Sequence, residues 1–503
     1  MGKPGAFLFL MAAAAAAQPA RQLGRIDFPT SGSAAAQGHF IQGVLLLHSF
    51  EYDDAREEFA AAEKTEPGFA MAYWGEALTY THPIWVEQDL AGARAALARL
   101  GPTPAARLAR APTEREKDYL RAVETLYGAG GKVERDKAYA EAMGRMHEKY
   151  PNDLEAAALY AVALMGTCQH DRDYAVYMRA AAVAEEVFAK NPQHPGAAHY
   201  LIHAYDDPVH APLGLRAARV YARIAGSASH AQHMPSHIFV ALGMWDDVIA
   251  SNVASVAVAD ERVARKHLGP DARNYHSLLW LEYGYLQEGR REDAHRVLED
   301  VARSAAASGS PRSLMHLGQM RAYYALETGE ADHLSGSFDL AKGGPTGRTA
   351  MLLAQGTLAA RQKRLPEARQ ALAEARAALA AGHSPKEAEI MAQELEAVVL
   401  EAEGKRDEAL GAAARAAAAE DALSFEFGPP VPVKPAHELL GEMLLAAGRA
   451  KEAEAQFERT LAKCPKRAPA LRGLAQAARQ SGDAQTAQRT ADDLKAFWHG
   501  AAL

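Results

Sequence analysis

Gly43, Ala55, Phe59, Ala62 and Pro67 constrain this 503-residue chain more than any other feature of it. Two small residues twelve apart, an aromatic four further on, an alanine after three more and a proline after another five describe a pair of helices. Small side chains let the two helices approach closely, and a proline, with no N–H to give, ends the second. The register returns as Leu440, Gly441, Leu444, Gly448, Ala453, Phe457 and Pro465. It repeats 34 residues later, where Gly448 is answered by Gly482, Ala453 by Ala487 and Leu440 by Leu474. Weaker copies stand between, at Leu281, Tyr285, Gly289 and Ala294, at Leu400, Gly404 and Ala409, and at Ala368, Leu372 and Ala375. Alanine is abundant and β-branched runs with two-residue alternation are scarce, so the expected fold is all-α.

These offsets resemble those of the tetratricopeptide repeat family. The likeness is strongest at residues 36–80 and 434–495 and loosens between them, where the spacing stretches beyond 34 and insertions must occur. It implies an α-solenoid of antiparallel helix pairs, irregular in the middle, whose first helices line a concave groove. Members of the family usually hold a peptide or a protein segment in that groove, which makes such a segment the expected partner. The likeness speaks to architecture more firmly than to function.

The expected organisation is a signal peptide at 1–17, an extended linker at 18–36, helical repeats with a His-rich groove at 37–305, and a C-terminal repeat array at 306–499. The signal reading rests on Lys3, the apolar run Ala6 to Ala17, and small residues before Gln18-Pro19, and it places the mature protein in the periplasm or outside the cell. That run is too short to cross a bilayer and no later stretch is apolar enough, so no integral membrane span is expected. The division near 305 follows the small, polar run Arg303 to Pro311. Residues 425–435 carry too many prolines for a helix and read as a linker between repeats in preference to a ribbon across the groove.

With 55 Lys and Arg against 63 Asp and Glu, the net charge is −8, which argues against nucleic acid as a partner. Two distant cysteines, Cys168 and Cys464, give no disulfide framework, iron–sulfur cluster or covalent haem. The loop Lys342 to Thr349 looks like a phosphate loop but has short glycine spacing, Arg348 in place of Lys and no preceding strand, so no nucleotide is expected.

Histidine is where chemistry enters. Eight of the 20 histidines fall between residues 170 and 237, where an even scatter would put about three. His199 and His203 are four apart, one helical turn, and so share a face. His230, His233 and His237 stand at i, i+3 and i+7 and share another. A segment with second-helix spacing, Gly214 to Ala225, separates the stripes, which places both on first helices of adjacent units. Facing stripes on neighbouring axes about 8–10 Å apart can meet at one ion. The candidate ligands of a Cu, Zn or Fe ion are therefore His199, His203, His230, His233 and His237. His170, Asp171, Asp206, His210 and His276 can add a ligand or orient an imidazole through its second nitrogen. The plainer alternative is a polar inner wall in which each imidazole is hydrogen-bonded to carboxylate or backbone. The His-rich part also resembles a group of exported repeat proteins with similar Met-Pro-Ser-His stretches, over residues 36–290, and that resemblance brings no reaction with it.

Other chemistries find less support. A zinc-protease helix needs Glu after its first His, and position 200 is Tyr. There is no Gly-x-Ser-x-Gly elbow, and nothing activates Cys168. Tyr73, Trp74, Glu76, His82 and Trp85 can form a groove wall with His48, against the plainer reading of packing between repeats. The expected function is an exported repeat protein that binds a peptide or protein partner in its groove, with or without a His-held metal, because nothing in the sequence specifies a reaction; the alternative is a metalloenzyme using a His-ligated Cu, Fe or Zn there. Three or more converging imidazoles with an open position favour the second. Histidines paired one by one to carboxylates favour the first.

Overall fold

Phe59 sits between two glycines. A Cβ on Gly43 or Gly75 would lie 2.6 or 2.3 Å from its ring, so only glycine lets the Ala34–His48, Tyr52–Thr65 and Ala70–Leu78 helices close around it. Phe457 repeats the arrangement at the other end, where a Cβ on Gly441 or Gly473 would lie 3.0 or 2.3 Å from the ring. Ala55, Phe59, Ala453 and Phe457 are all fully buried, as the register requires. A computed structural model describes residues 21–169, 171–334, 339–380, 384–424 and 427–500 of the chain. Through them runs an all-α solenoid of antiparallel helix pairs. The strands among the described residues are Thr81–His82 and Glu87–Gln88, a two-stranded antiparallel hairpin with His82 opposite Glu87. No helix among the described residues is long and apolar enough to cross a membrane.

First and second helices differ in how they are buried. Every residue of Pro195–Ala204 is buried, because this helix is covered by the first repeat as well as by its own partner. The Ala211–Ile224 and Arg291–Ser308 helices bury one apolar stripe and turn charged residues outward, the pattern of a surface helix. The C-terminal repeats fold back onto the middle of the solenoid. Trp245 Nε1 donates to the Lys466 carbonyl at 3.1 Å, and the Ala468 amide donates to Gln287 Oε1 at 2.9 Å. Arg467, fully enclosed, pairs with Glu438 and Glu327, both at 2.7 Å.

Three expectations about organisation are corrected. The expected linker 18–36 is helical from Ala34, and its described part is packed: Phe28 is buried against Phe40, Trp74 and Tyr119. The run from Arg303 stays helical through Ser308, since alanine and serine there continue the apolar stripe, and no break in the core falls at 305/306. The proline-rich segment does cross the concave face. Phe427 packs on His237 with ring centroids 5.2 Å apart, a Cβ on Gly428 would strike Trp280 at 2.2 Å, Tyr323 Oη donates to the Pro430 carbonyl at 2.7 Å, and Val433 is buried. The expected signal peptide at 1–17, His170, and residues 425–426 lie outside the described residues.

Candidate metal centre

Four consecutive first helices line the inner wall beneath this strap. Pro195–Ala204 carries His199 and His203, Tyr275–Gln287 carries His276, and Pro311–Thr328 carries His316. Between them lies a broken helix. Pro235 removes an N–H from the ladder, so Ser229–His233 ends and Pro235–Leu242 begins anew, dividing His230 and His233 from His237.

The ring nitrogens gather in two sets. His199, His203 and His230 form one; His233, His237 and His276 form the other; within each set the ligand atoms lie within 4.8 Å of one another. The five expected ligands thus do not converge on one point, as the sequence reading had them do. The division falls between His230 and His233, within the Ser229–His233 helix: His230 meets His199 and His203, while His233 joins His237 and His276.

The backs of three rings are fixed. His199 Nδ1 donates to the His48 carbonyl at 2.7 Å. His237 Nδ1 lies 2.6 Å from Asp206 Oδ2, an acceptor. His233 Nδ1 lies 2.7 Å from Asn252 Oδ1, whose amide nitrogen is committed to the Val248 carbonyl at 2.8 Å, so the oxygen faces the ring. Each neutral ring then carries its proton on Nδ1 and presents a bare Nε2 to the inside. There, His233 Nε2 stands 3.0 Å from His237 Nε2, and His199 Nε2 stands 3.1 Å from His230 Nε2. Two nitrogens bound to one ion at about 2.0–2.1 Å are separated by about 2.9–3.4 Å for bond angles near 90–110°. Burial, followed by repulsion from neighbouring rings, holds His199, His203 and His230 well below the usual imidazole range and His233 at about 3. These four rings are kept neutral, the form that binds metal.

Both sets open onto one cavity of about 750 Å³. One wall is aromatic: Phe50, Tyr52, His82 and Trp85, with Tyr52 stacked on His82 at 4.0 Å between centroids. Phe50 sits at φ 55°, a left-handed conformation that costs a bulky residue energy, and there its ring reaches 4.3 Å from that of His199. Glu51 Oε1 accepts the His230 amide at 3.1 Å, and burial pushes its carboxyl up. Arg312 and His316 stand on the far side.

The other expected residues are placed as follows. His82 and Trp85 line the cavity, but Tyr73, Trp74 and Glu76 do not: Trp74 is in the core, and Glu76 and Tyr73 engage Arg99. His48 is also elsewhere. Its Nε2 pairs with Glu155 at 2.7 Å, its Nδ1 meets Tyr200 Oη at 2.9 Å, and His194 holds the other Glu155 oxygen at 3.1 Å, a separate, fully buried group whose ligand atoms are hydrogen-bonded to one another. Asp206 orients the His237 ring. His210 is paired with Asp207 at 2.8 Å, and Asp171 accepts from Ser424 at 2.7 Å, both outside the two sets. Sequence reasoning missed Phe50, Glu51, Asn252 and His316. For His316 a signal existed: His199, His237, His276 and His316 follow at intervals of 38, 39 and 40, the local repeat length.

The fold and site define a helical-repeat solenoid with a histidine-lined cavity on its concave face. No protein-family model matches the chain and no curated protein matches it. Among solved structures it is similar to Cut9–Hcn1 of the APC/C (11% identity over 90% of this chain and 78% of that one, TM-score 0.36). It is likewise similar to yeast Tom70 (10%, 92% and 92%, TM-score 0.33) and to the P58(IPK) TPR domain (14%, 90% and 99%, TM-score 0.25).

Proposed function

We propose that this protein is a transition-metal protein, with its ions held by the histidines of the inner wall and reached by a small molecule entering the 750 Å³ cavity. The observation that carries this reading is the pair His233 and His237. Asn252 and Asp206 accept at their Nδ1 atoms, so the two Nε2 atoms face each other at 3.0 Å, the separation of two nitrogens bound to one ion. The donors are imidazole nitrogens, which suit Cu, Zn, Fe or Ni and not Ca or Mg. Five of the six imidazoles line the cavity, which leaves the ions a side open to substrate and supports metal-dependent chemistry over simple structural clamping.

The helical-repeat fold is also the basis for a second reading, a scaffold that binds a peptide or protein. Beside the histidines that role has lost its place, because residues 427–435 of the chain itself occupy the concave face. Metal analysis of tag-free protein separates the readings. Bound Cu, Zn or Fe that His199→Ala/His233→Ala removes without loss of helix content supports a metalloprotein. No metal after loading with each ion leaves a shared proton between the rings and returns the protein to the scaffold reading.

A further inference from the structure

Resting on that reading, the geometry points to a dinuclear copper centre: one ion in the His199, His203 and His230 set and a second, beside it, in the His233, His237 and His276 set.

The two sets abut. His203 and His237, from different sets, have ring centroids 6.1 Å apart, and His230 and His233 are 6.4 Å apart, about the separation of His203 and His230 within one set, 6.3 Å. They share a floor as well. His203, His230, His233, His237 and His276 all line the same cavity, so a small ligand entering it meets both ions.

The choice of metal follows from charge. Paired hard divalent ions are normally held with carboxylates that offset their charge. Here the nearby carboxylates are committed elsewhere, Asp206 to the back of His237, Glu51 to the His230 amide and Glu87 to His82, and none belongs to a set. Six imidazole nitrogens with no carboxylate among them favour ions of low charge. Cuprous ion is monovalent and takes three imidazoles readily, and cupric ion binds nitrogen donors more tightly than the other divalent first-row metals.

The test uses the full-length, tag-free protein, loaded with Cu(I) without oxygen, desalted and analysed for copper per chain. Wild type should hold two equivalents, and His203→Gln and His276→Gln one each. On oxidation, the coupled pair should leave wild type with an integrated mononuclear Cu(II) resonance signal far below its copper content, while each variant gives a signal matching its single copper. Circular dichroism checks folding, and His276, on the exposed side of its helix, gives the comparison should His203→Gln not fold. One copper in wild type that both substitutions abolish would show a single shared ion and overturn the proposal. Two coppers with full, independent signals would overturn it too. No copper at all overturns the proposal, and the metalloprotein reading fails only if Zn and Fe are not held either, which keeps the two failures distinct.

Discussion

Asp206 Oδ2 lies 2.6 Å from His237 Nδ1, and this contact decides which nitrogen of the ring faces the cavity. Asp206 stands just past the end of the Pro195–Ala204 helix, so the helix that supplies His199 and His203 also orients a ring of the second set. Arg172 secures that end by donating to the His203 and Ala204 carbonyls at 3.1 and 2.9 Å.

Asp206→Asn should therefore weaken metal binding without touching a ligand. Carboxylates behind metal-bound imidazoles are worth about 10–100-fold in affinity. Competition with a chelator of known affinity measures the loss, and unchanged affinity would remove Asp206 from the account.

Phe427 lies over His237 as part of the strap. Phe427→Ala should open that side of the cavity and speed extraction of metal by a chelator, with the amount of metal bound at equilibrium little changed. Extraction at the wild-type rate would mean that the strap does not limit access.

Phe457→Ala should cost roughly 3–5 kcal/mol, the usual range for a buried aromatic. The effect should be local, with amides of the C-terminal helices exchanging faster while those around Phe59 hold their protection, since repeats contact mainly their neighbours. Gly473→Ala should also destabilise this region, because its Cβ would lie 2.3 Å from the Phe457 ring. Native exchange rates at Ala468–Ser481 in either variant would count against the packing described.

Acid should loosen the fold-back of the C-terminal repeats. Burial pushes the Glu438 carboxyl up, but Arg467 and Lys434 outweigh it and hold the group at about 2, below its ordinary value of 4.5. Its contribution to stability is thus fully present above about pH 4.5 and is lost as pH falls toward 2. Glu438→Gln leaves Arg467 with Glu327 alone and should cost about 3 kcal/mol at neutral pH, the low end for breaking a buried pair. Urea midpoints between pH 7 and pH 3 should fall less steeply in the variant; parallel pH profiles would contradict the assignment.

Helix pairing was legible because the register encodes contacts directly: Gly43 and Phe59 touch, and their spacing says so. The histidine stripes were legible for the same reason, as i, i+4 neighbours on helices. What local spacing does not carry is the partition of the stripes. His230 and His233 stand on the same short helix, yet His230 meets His199 and His203 while His233 groups with His237 and His276, a division that no spacing marks. His48 is withdrawn from the cavity because Glu155, more than a hundred residues away, captures it. Asn252 and Glu51 reach the site from a second helix and a corner, with no periodicity to mark them. The proline-rich strap is extended on sequence grounds, but its course across the groove depends on Trp280 and Tyr323, which nothing in its own composition names.

Anomalous diffraction from crystals of the metal-loaded protein, recorded at the metal's absorption edge, tests the central claim most directly. The account requires density at about 2.0–2.1 Å from Nε2 of both His233 and His237, with His276 in the same shell and a second peak among His199, His203 and His230. A loaded crystal with no anomalous peak in reach of these rings, or with metal only at surface histidines, would contradict it.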